Sequence, residues 1–87
     1  MKGTRLIDIT NEFNTLFSYG AYGVANNMLA KAYAHLPDMS TEKILTYVRA
    51  IQPVKDRLPV WQYFIKNTKE EFTRRGLNTD EVLKGLS

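Results

Sequence analysis

The chain has 87 residues, of which 44% are hydrophobic and 24% are charged, and its formal net charge is +3. This length supports one domain with a modest core, and the apolar content is too high for a disordered chain. The absence of cysteine excludes a disulfide framework, a thiol nucleophile and a cysteine zinc site. We therefore expect a single domain over residues 1–87.

The N-terminal residues and the longest weakly charged stretch bear on localisation. Only Leu6 and Ile7 precede Asp8, which is too short for the apolar core of a signal peptide. Residues 13–30 contain asparagine, serine, threonine and glycine, so they are too polar to span a membrane. The expectation is a cytoplasmic protein without a membrane partner.

Apolar spacing predicts two helices in the first part of the chain. The stripe of the first consists of Ile9, Phe13, Leu16 and Phe17. Gly20 then breaks the chain. The second helix places apolar residues at helical spacing from Ala25 to Leu36, and Pro37 ends it.

A third helix is predicted after Ser40, which is a favourable N-cap residue. Met39 and Ile44 have the spacing of a hydrophobic staple around that cap. Its buried stripe would consist of Ile44, Leu45, Val48 and Ile51. Pro53 ends the helix, and residues 53–58 form a connector.

Pro59 suits the first position of a fourth helix. Its inner face would contain Val60 or Trp61, then Phe64, Ile65, Thr68 and Phe72. Its outer side carries possible ion pairs four residues apart, which are Lys66–Glu70, Glu70–Arg74 and Glu71–Arg75.

Gly76 supplies a left-handed residue after the fourth helix, and Leu77 would fold back onto Phe72. Asn78 or Thr79 would cap a short last helix. That helix would dock through Val82, Leu83 and Leu86. Because no segment alternates with the period of a strand, we predict an all-α fold, a compact bundle of four to five short helices.

Catalytic and metal chemistry lack the residues they require. His35 is the only histidine, and a typical zinc site needs further histidine or cysteine ligands. The acidic residues that lie close together in the sequence are explained by helix caps and ion pairs, and not by a magnesium site. Residues 20–23 are not followed by the lysine of a phosphate-binding loop. We therefore predict no catalytic residue, no metal site and no cofactor, and the protein is not expected to be an enzyme.

Two patterns indicate nucleic-acid binding. The short turn between the second and third helices resembles a helix-turn-helix, with Thr41, Lys43 and Tyr47 near the start of the reading helix. The second pattern is a basic, aromatic segment, since residues 41–75 hold eight Lys and Arg against four Asp and Glu. Cationic grooves with aromatic stacking hold single strands. The predicted surface contains Arg57, Trp61, Tyr63, Lys66, Lys69, Arg74 and Arg75. The alternative is that Trp61 packs inside and the charges are ordinary helix surface.

The end of the chain resembles a known family. The run is Phe64-Ile65-x-x-Thr68-Lys69-x-x-Phe72-x-x-x-Gly76-Leu77-x-Thr79-x-x-Val82. It is similar to the C-terminal signature of the DnaD/DnaB-like replication-initiation domain of Gram-positive bacteria and their phages. That family has Tyr, Ile and Trp at four-residue intervals, where this chain has Phe64, Thr68 and Phe72, and then a Gly-Ile-x-Thr turn that starts here at Gly76. The run Met39-Ser40-x-x-Lys43-Ile44-Leu45-x-x-Val48-x-x-Ile51 is similar to the family's third helix.

The resemblance implies a compact helical domain that binds single-stranded DNA, a helicase or a helicase loader during replication initiation. The first hypothesis is thus a non-enzymatic adaptor from a phage-like or mobile-element context. The second is a purely protein-binding or homo-oligomerising helical module, which would use an apolar surface around Tyr19, Tyr22 and Trp61.

Overall fold

A computed structural model describes the backbone of residues 6–84 and the side chains of residues 9–84. The helices are α1 (Leu6–Ser18), α2 (Tyr22–Ala34), α3 (Thr41–Ile51), α4 (Trp61–Arg74) and α5 (Thr79–Val82). Two 3₁₀ segments, Leu36–Asp38 and Gln52–Arg57, connect α2 to α3 and α3 to α4. No strand occurs in the described residues, and the predicted all-α fold is confirmed. The predicted docking residue Leu86 lies outside the described residues.

Two glycines end helices in the left-handed conformation that side chains rarely adopt. Gly20 has φ +69° and Gly76 has φ +81°. After α4, the Leu77 N–H donates to the Phe72 carbonyl at 2.9 Å, and the Gly76 N–H donates to the Thr73 carbonyl at 3.0 Å. These two bonds define the Schellman motif, so the predicted stop of the fourth helix is confirmed. The same pair of bonds closes the turn after α1, at 2.8 and 3.1 Å.

The predicted N-caps of α3 and α5 are confirmed. Ser40 Oγ accepts a hydrogen bond from the Lys43 N–H at 3.1 Å. Asn78 Oδ1 accepts from the Glu81 N–H at 3.2 Å. Both bonds reach three residues forward, the reach of a capping side chain.

The start of α4 differs from the prediction. The helix begins at Trp61, two residues after Pro59, and Pro59 lies in the preceding turn. The Val60 N–H is bound by Asn26 Oδ1 of α2 at 3.0 Å. A side chain from another helix therefore does what a local cap would otherwise do, and no local pattern in the sequence indicates it.

The core lies between α3 and its neighbours. Phe13, Phe64 and Phe72 are its largest fully buried side chains. Three residues of the predicted α3 stripe are buried, but Leu45 is only partly buried, and the helix also buries Thr46 and Ala50. They are covered because α3 packs against both α1 and α4.

Helices α2 and α4 pack side by side and run in the same direction. Asn26 contacts Val60 near their N-terminal ends, and Tyr33 contacts Asn67 seven residues further along both helices. This alignment creates a groove along their shared outer edge, and Arg74 is the predicted site residue that lines it.

Candidate nucleic-acid interface

The outer face of α4 carries one exposed aromatic ring, three exposed cations and one exposed carboxylate, Glu70. Tyr63 is 56% exposed, and Lys66, Lys69 and Arg74 are exposed as well. At about 100° per residue, Tyr63, Lys66 and Arg74 fall within an arc of about 80°, and Lys69 lies about 60° beyond Lys66. The structure therefore places four of the seven predicted residues on one helix face.

Among the described residues, two of these cations have no partner in a hydrogen bond or an ion pair. Within residues 9–84, no side-chain hydrogen bond or ion pair is found for Lys66 or Lys69, so the predicted Lys66–Glu70 pair does not form. Arg74 pairs with Glu71 and not with Glu70. The predicted pair Glu71–Arg75 is confirmed, at 2.7 Å.

A second tyrosine joins this face from α2. The Asn67 Nδ2 group donates to the Tyr63 carbonyl at 2.9 Å and also lies 3.3 Å from the Tyr33 hydroxyl, to which it donates. Tyr33 and Tyr63 are the exposed rings on the two sides of this amide. Sequence reasoning missed Tyr33, because its spacing assigned it to the apolar stripe of the second helix. No pattern in the sequence indicated a role for Asn67.

The two helices enclose a groove of about 430 Å³, which we call the α2/α4 groove. It is lined by Tyr33, Ala34, Leu36, Pro37, Asn67, Glu70, Glu71 and Arg74. Its walls carry one tyrosine ring, one amide, three apolar side chains and two carboxylates, with one exposed guanidinium at the end nearest the C-terminus of α4.

Glu71 is a buried acid at the base of this groove. Hydrogen bonds from Arg74 and Arg75 hold the pKa of its carboxyl below the usual value, and the charges of both arginines act in the same direction. Sequence reasoning placed Glu71 on the outer side of the helix, but it is 7% exposed. Two guanidinium groups share its one negative charge, so the cluster stays positive.

Arg75 is not a surface cation, which corrects its place in the predicted interface. By helical geometry it lies about 180° from Lys66. Its guanidinium donates to the carbonyls of Leu36 and Met39 at 3.2 and 2.6 Å and to Thr41 Oγ1 at 2.9 Å. It is therefore a structural residue that fastens the end of α4 to the connection between α2 and α3.

Trp61 is likewise a core residue. It is 8% exposed, and its ring is stacked on Phe64 with centroids 6.3 Å apart. A buried indole cannot offer its face to a base, so Trp61 belongs neither to a stacking surface nor to the apolar surface of the second hypothesis. The inward packing that the sequence left open as an alternative is what the structure shows.

Arg57 lies apart from the α4 face. Its guanidinium carbon is 5.1 Å from the centroid of the Tyr22 ring, a cation–π contact that joins the second 3₁₀ segment to the start of α2. Tyr22 is half-buried and its ring stacks on Phe17. Of the two tyrosines in the second hypothesis, Tyr19 alone is well exposed, at 83%.

Two of the three residues that the helix-turn-helix hypothesis assigned to DNA reading make contacts within the domain. Thr41 accepts the hydrogen bond from Arg75 described above. The Tyr47 ring packs between Phe13 and Phe64, with centroids 5.7 and 6.2 Å away. Both side chains are therefore engaged in intramolecular contacts and do not face a DNA groove. The reason is that α3 is the central helix of the domain.

Three of the four residues at the family-motif positions are internal. Phe64, Thr68 and Phe72 are fully buried, and Gly76 forms the helix stop. The Thr68 hydroxyl is buried with no hydrogen-bond partner. The three buried positions therefore build the core behind the outer face of α4.

The part of the chain described holds no group of three or more His, Asp or Glu side chains arranged for a metal ion. His35 is exposed at the end of α2. Across residues 6–84, none of the helices has both the length and the apolar content needed to cross a bilayer.

Fold and surface together define a small all-α domain with a mixed aromatic and basic face. No protein-family model matches the chain, and neither a curated protein nor a solved structure shows significant similarity to it. The resemblance to the DnaD/DnaB-like domain therefore stays a prediction.

Proposed function

We propose that this domain is a non-enzymatic adaptor that binds single-stranded DNA on the outer face of α4 and along the α2/α4 groove, in DNA replication or mobile-element maintenance. The observation that carries the proposal is the pair of exposed tyrosines, Tyr33 and Tyr63, joined through Asn67 and flanked by uncommitted lysines.

Single strands fit this surface better than duplexes. Unpaired bases stack on aromatic rings, and stacking contributes roughly 1–3 kcal/mol per base. Paired bases do not offer their faces to a side chain. The lysines Lys66 and Lys69 and the exposed guanidinium of Arg74 would neutralise phosphates beside the stacked bases.

Salt dependence gives the proposal a quantitative form. Three neutralised phosphates on a single strand predict a slope of about −2 in log affinity against log salt concentration. If apolar contacts held the strand, its affinity would change far less with salt concentration. Fluorescence anisotropy with labelled single- and double-stranded DNA at two salt concentrations measures both the preference and the slope.

The test variant combines Tyr63→Ala, Lys66→Ala and Lys69→Ala. Its affinity for single-stranded DNA should fall at least tenfold, and its circular dichroism spectrum should match that of the wild type. Arg75 is excluded from the variant because it is structural. The control is Arg49→Ala with Lys84→Ala, which removes two exposed cations elsewhere. Equal affinity in the triple variant and the wild type would overturn the proposal.

A protein-binding or homo-oligomerising module is the second candidate function. The observation in its favour is the apolar corner between α1 and α2, where Tyr19 and Val24 are exposed at 83% and 52%. Sedimentation equilibrium of the wild type and of Tyr19→Ala distinguishes it. Self-association that responds to Tyr19 and not to salt would support this function.

A further inference from the structure

A second groove lies on the other flank of α2. It has a volume of about 320 Å³ and separates α2 from α3, and we call it the α2/α3 groove. Its lining consists of Met28, Lys31, Ala32, His35, Met39, Lys43 and Tyr47. On α2, Met28 and Tyr33 point about 140° apart, so the two grooves face different directions.

The floor of the α2/α3 groove is apolar and adaptable. Ala32 and Met39 are buried, and Met28 is half-buried against the core. Methionine has three rotatable bonds and a polarisable sulfur, so it fits ligands of varied shape and is common on protein-binding surfaces. The floor can therefore receive apolar side chains without a preformed pocket for one of them.

The rim of the groove is basic. Lys31, His35 and Lys43 are among the seven residues that line it, and no carboxylate is among those seven. Burial and the charge of Glu12 raise the pKa of Tyr47, so its hydroxyl stays neutral. The groove thus offers cations above an apolar floor and no negative charge from its own lining.

A line of residues on α2 extends this surface beyond the groove. Val24, Met28, Lys31 and His35 stand at i, i+4, i+7 and i+11, which places them on one face of the helix. Val24 is exposed. This line has the spacing that an amphipathic helix uses when it lies along a groove.

We infer that the α2/α3 groove binds an acidic amphipathic helix of a partner protein. Apolar side chains of that helix contact Met28, Ala32 and Met39, and its carboxylates pair with Lys31 and Lys43. Single-stranded DNA fits less well here, because the only aromatic ring of the lining, Tyr47, is engaged with Phe13 and Phe64.

The inference deepens the adaptor role by naming the chemistry of its protein partner, and in that respect it rests on the proposed function. The two surfaces lie on different flanks of α2, so they can be tested separately. Wild-type protein that binds DNA but not the peptide would refute the inference alone, and wild-type protein that binds the peptide but not DNA would refute the DNA-binding proposal alone.

The test uses a fluorescent peptide of about five helical turns, with leucine along one face and glutamate on its flanks. A second peptide carries lysine in place of glutamate, and a third has the acidic composition scrambled so that no apolar face forms. The protein variants are Lys31→Glu with Lys43→Glu, and the matched control Lys66→Glu with Lys69→Glu. All proteins are titrated with each peptide and with labelled single-stranded DNA.

The acidic amphipathic peptide should bind the wild type and the control, and its affinity should fall at least tenfold in the Lys31/Lys43 variant, which keeps its DNA affinity. Amide shifts of the wild type on peptide addition should centre on the α2/α3 groove. Equal binding of the lysine or scrambled peptide, competition between peptide and DNA, or shifts centred on another surface would each overturn the inference.

Discussion

On one flank of α2, one tyrosine ring, an amide, two carboxylates and a guanidinium line the α2/α4 groove, whereas on the other flank methionines lie beneath a basic rim. Both grooves use the same helix, and both border the short connection from α2 to α3. The difference arises because residues about 140° apart on α2 meet different neighbours, α4 on one side and α3 on the other. One helix can therefore supply two surfaces of different chemistry, one suited to bases and phosphates and one to an apolar, acidic partner.

Replacing Arg75 should affect both grooves, because its guanidinium binds the carbonyls of Leu36 and Met39 that lie between them. Hydrogen bonds from a charged group contribute roughly 1.5–3 kcal/mol each, so Arg75→Ala should lower the free energy of unfolding by about 2–3 kcal/mol. Urea denaturation measures the change. The control Arg74→Ala removes the more exposed arginine and should cost much less, and equal losses would show that Arg75 does not fasten the two regions.

Replacing Gly76 should disturb only the groove next to α4. Its φ of +81° is strained for a β-branched residue, so Gly76→Val should destabilise the domain by about 1 kcal/mol or more. Gly23, which has no left-handed backbone, provides the control in Gly23→Ala. A thermal melt of the valine variant that matches the wild type would mean that the end of α4 does not require this conformation.

Replacing Thr68 should change stability and leave both grooves intact. Its buried hydroxyl has no partner, and removing such a group should stabilise the fold by about 1 kcal/mol in Thr68→Val. The Thr73 hydroxyl donates to the Lys69 carbonyl, so Thr73→Val should bring no such gain. Unchanged DNA and peptide affinities in Thr68→Val would separate binding from stability, while a less stable variant would mean that the hydroxyl is satisfied.

The smallest expected effect concerns pH. The pKa of Glu71 is lowered in the folded protein, so its contribution to stability is present above its unfolded value of about 4.5 and is lost as the pH falls through the lower folded value. Denaturation curves at neutral pH and below pH 4.5 should show a smaller acid-induced loss for Glu71→Gln than for the wild type. Glu70→Gln, at the exposed neighbour, should behave like the wild type. Parallel curves for all three proteins would count against the ion-pair cluster.

Local signals in the sequence predicted much of the fold. The caps at Ser40 and Asn78 and the stop at Gly76 depend on residues within a few positions of one another, and the structure confirms them. The apolar stripes are buried at most positions, but Tyr33 is exposed. The all-α class follows from those stripes. The same local chemistry placed Lys66, Lys69, Arg74 and Tyr63 on one exposed side of a helix.

The remaining features of the site depend on contacts that no local pattern contains. Asn26 with Val60, Tyr33 with Asn67 and Thr41 with Arg75 are each separated by 34 residues. Thr41 is the first residue of α3, but for the first two pairs this separation reflects the parallel course of α2 and α4, which the sequence did not reveal. Without it, Arg75 was assigned to the surface and Tyr33 was overlooked.

The parallel course of α2 and α4 also has an electrostatic consequence. Parallel helices place their partial negative C-terminal charges at the same end of the pair, where the like charges repel. Arg75 follows the last residue of α4, and its guanidinium binds carbonyls just beyond the end of α2. One positive charge therefore offsets the C-terminal partial charges of both helices. This interaction stabilises the folded position of the Arg75 side chain.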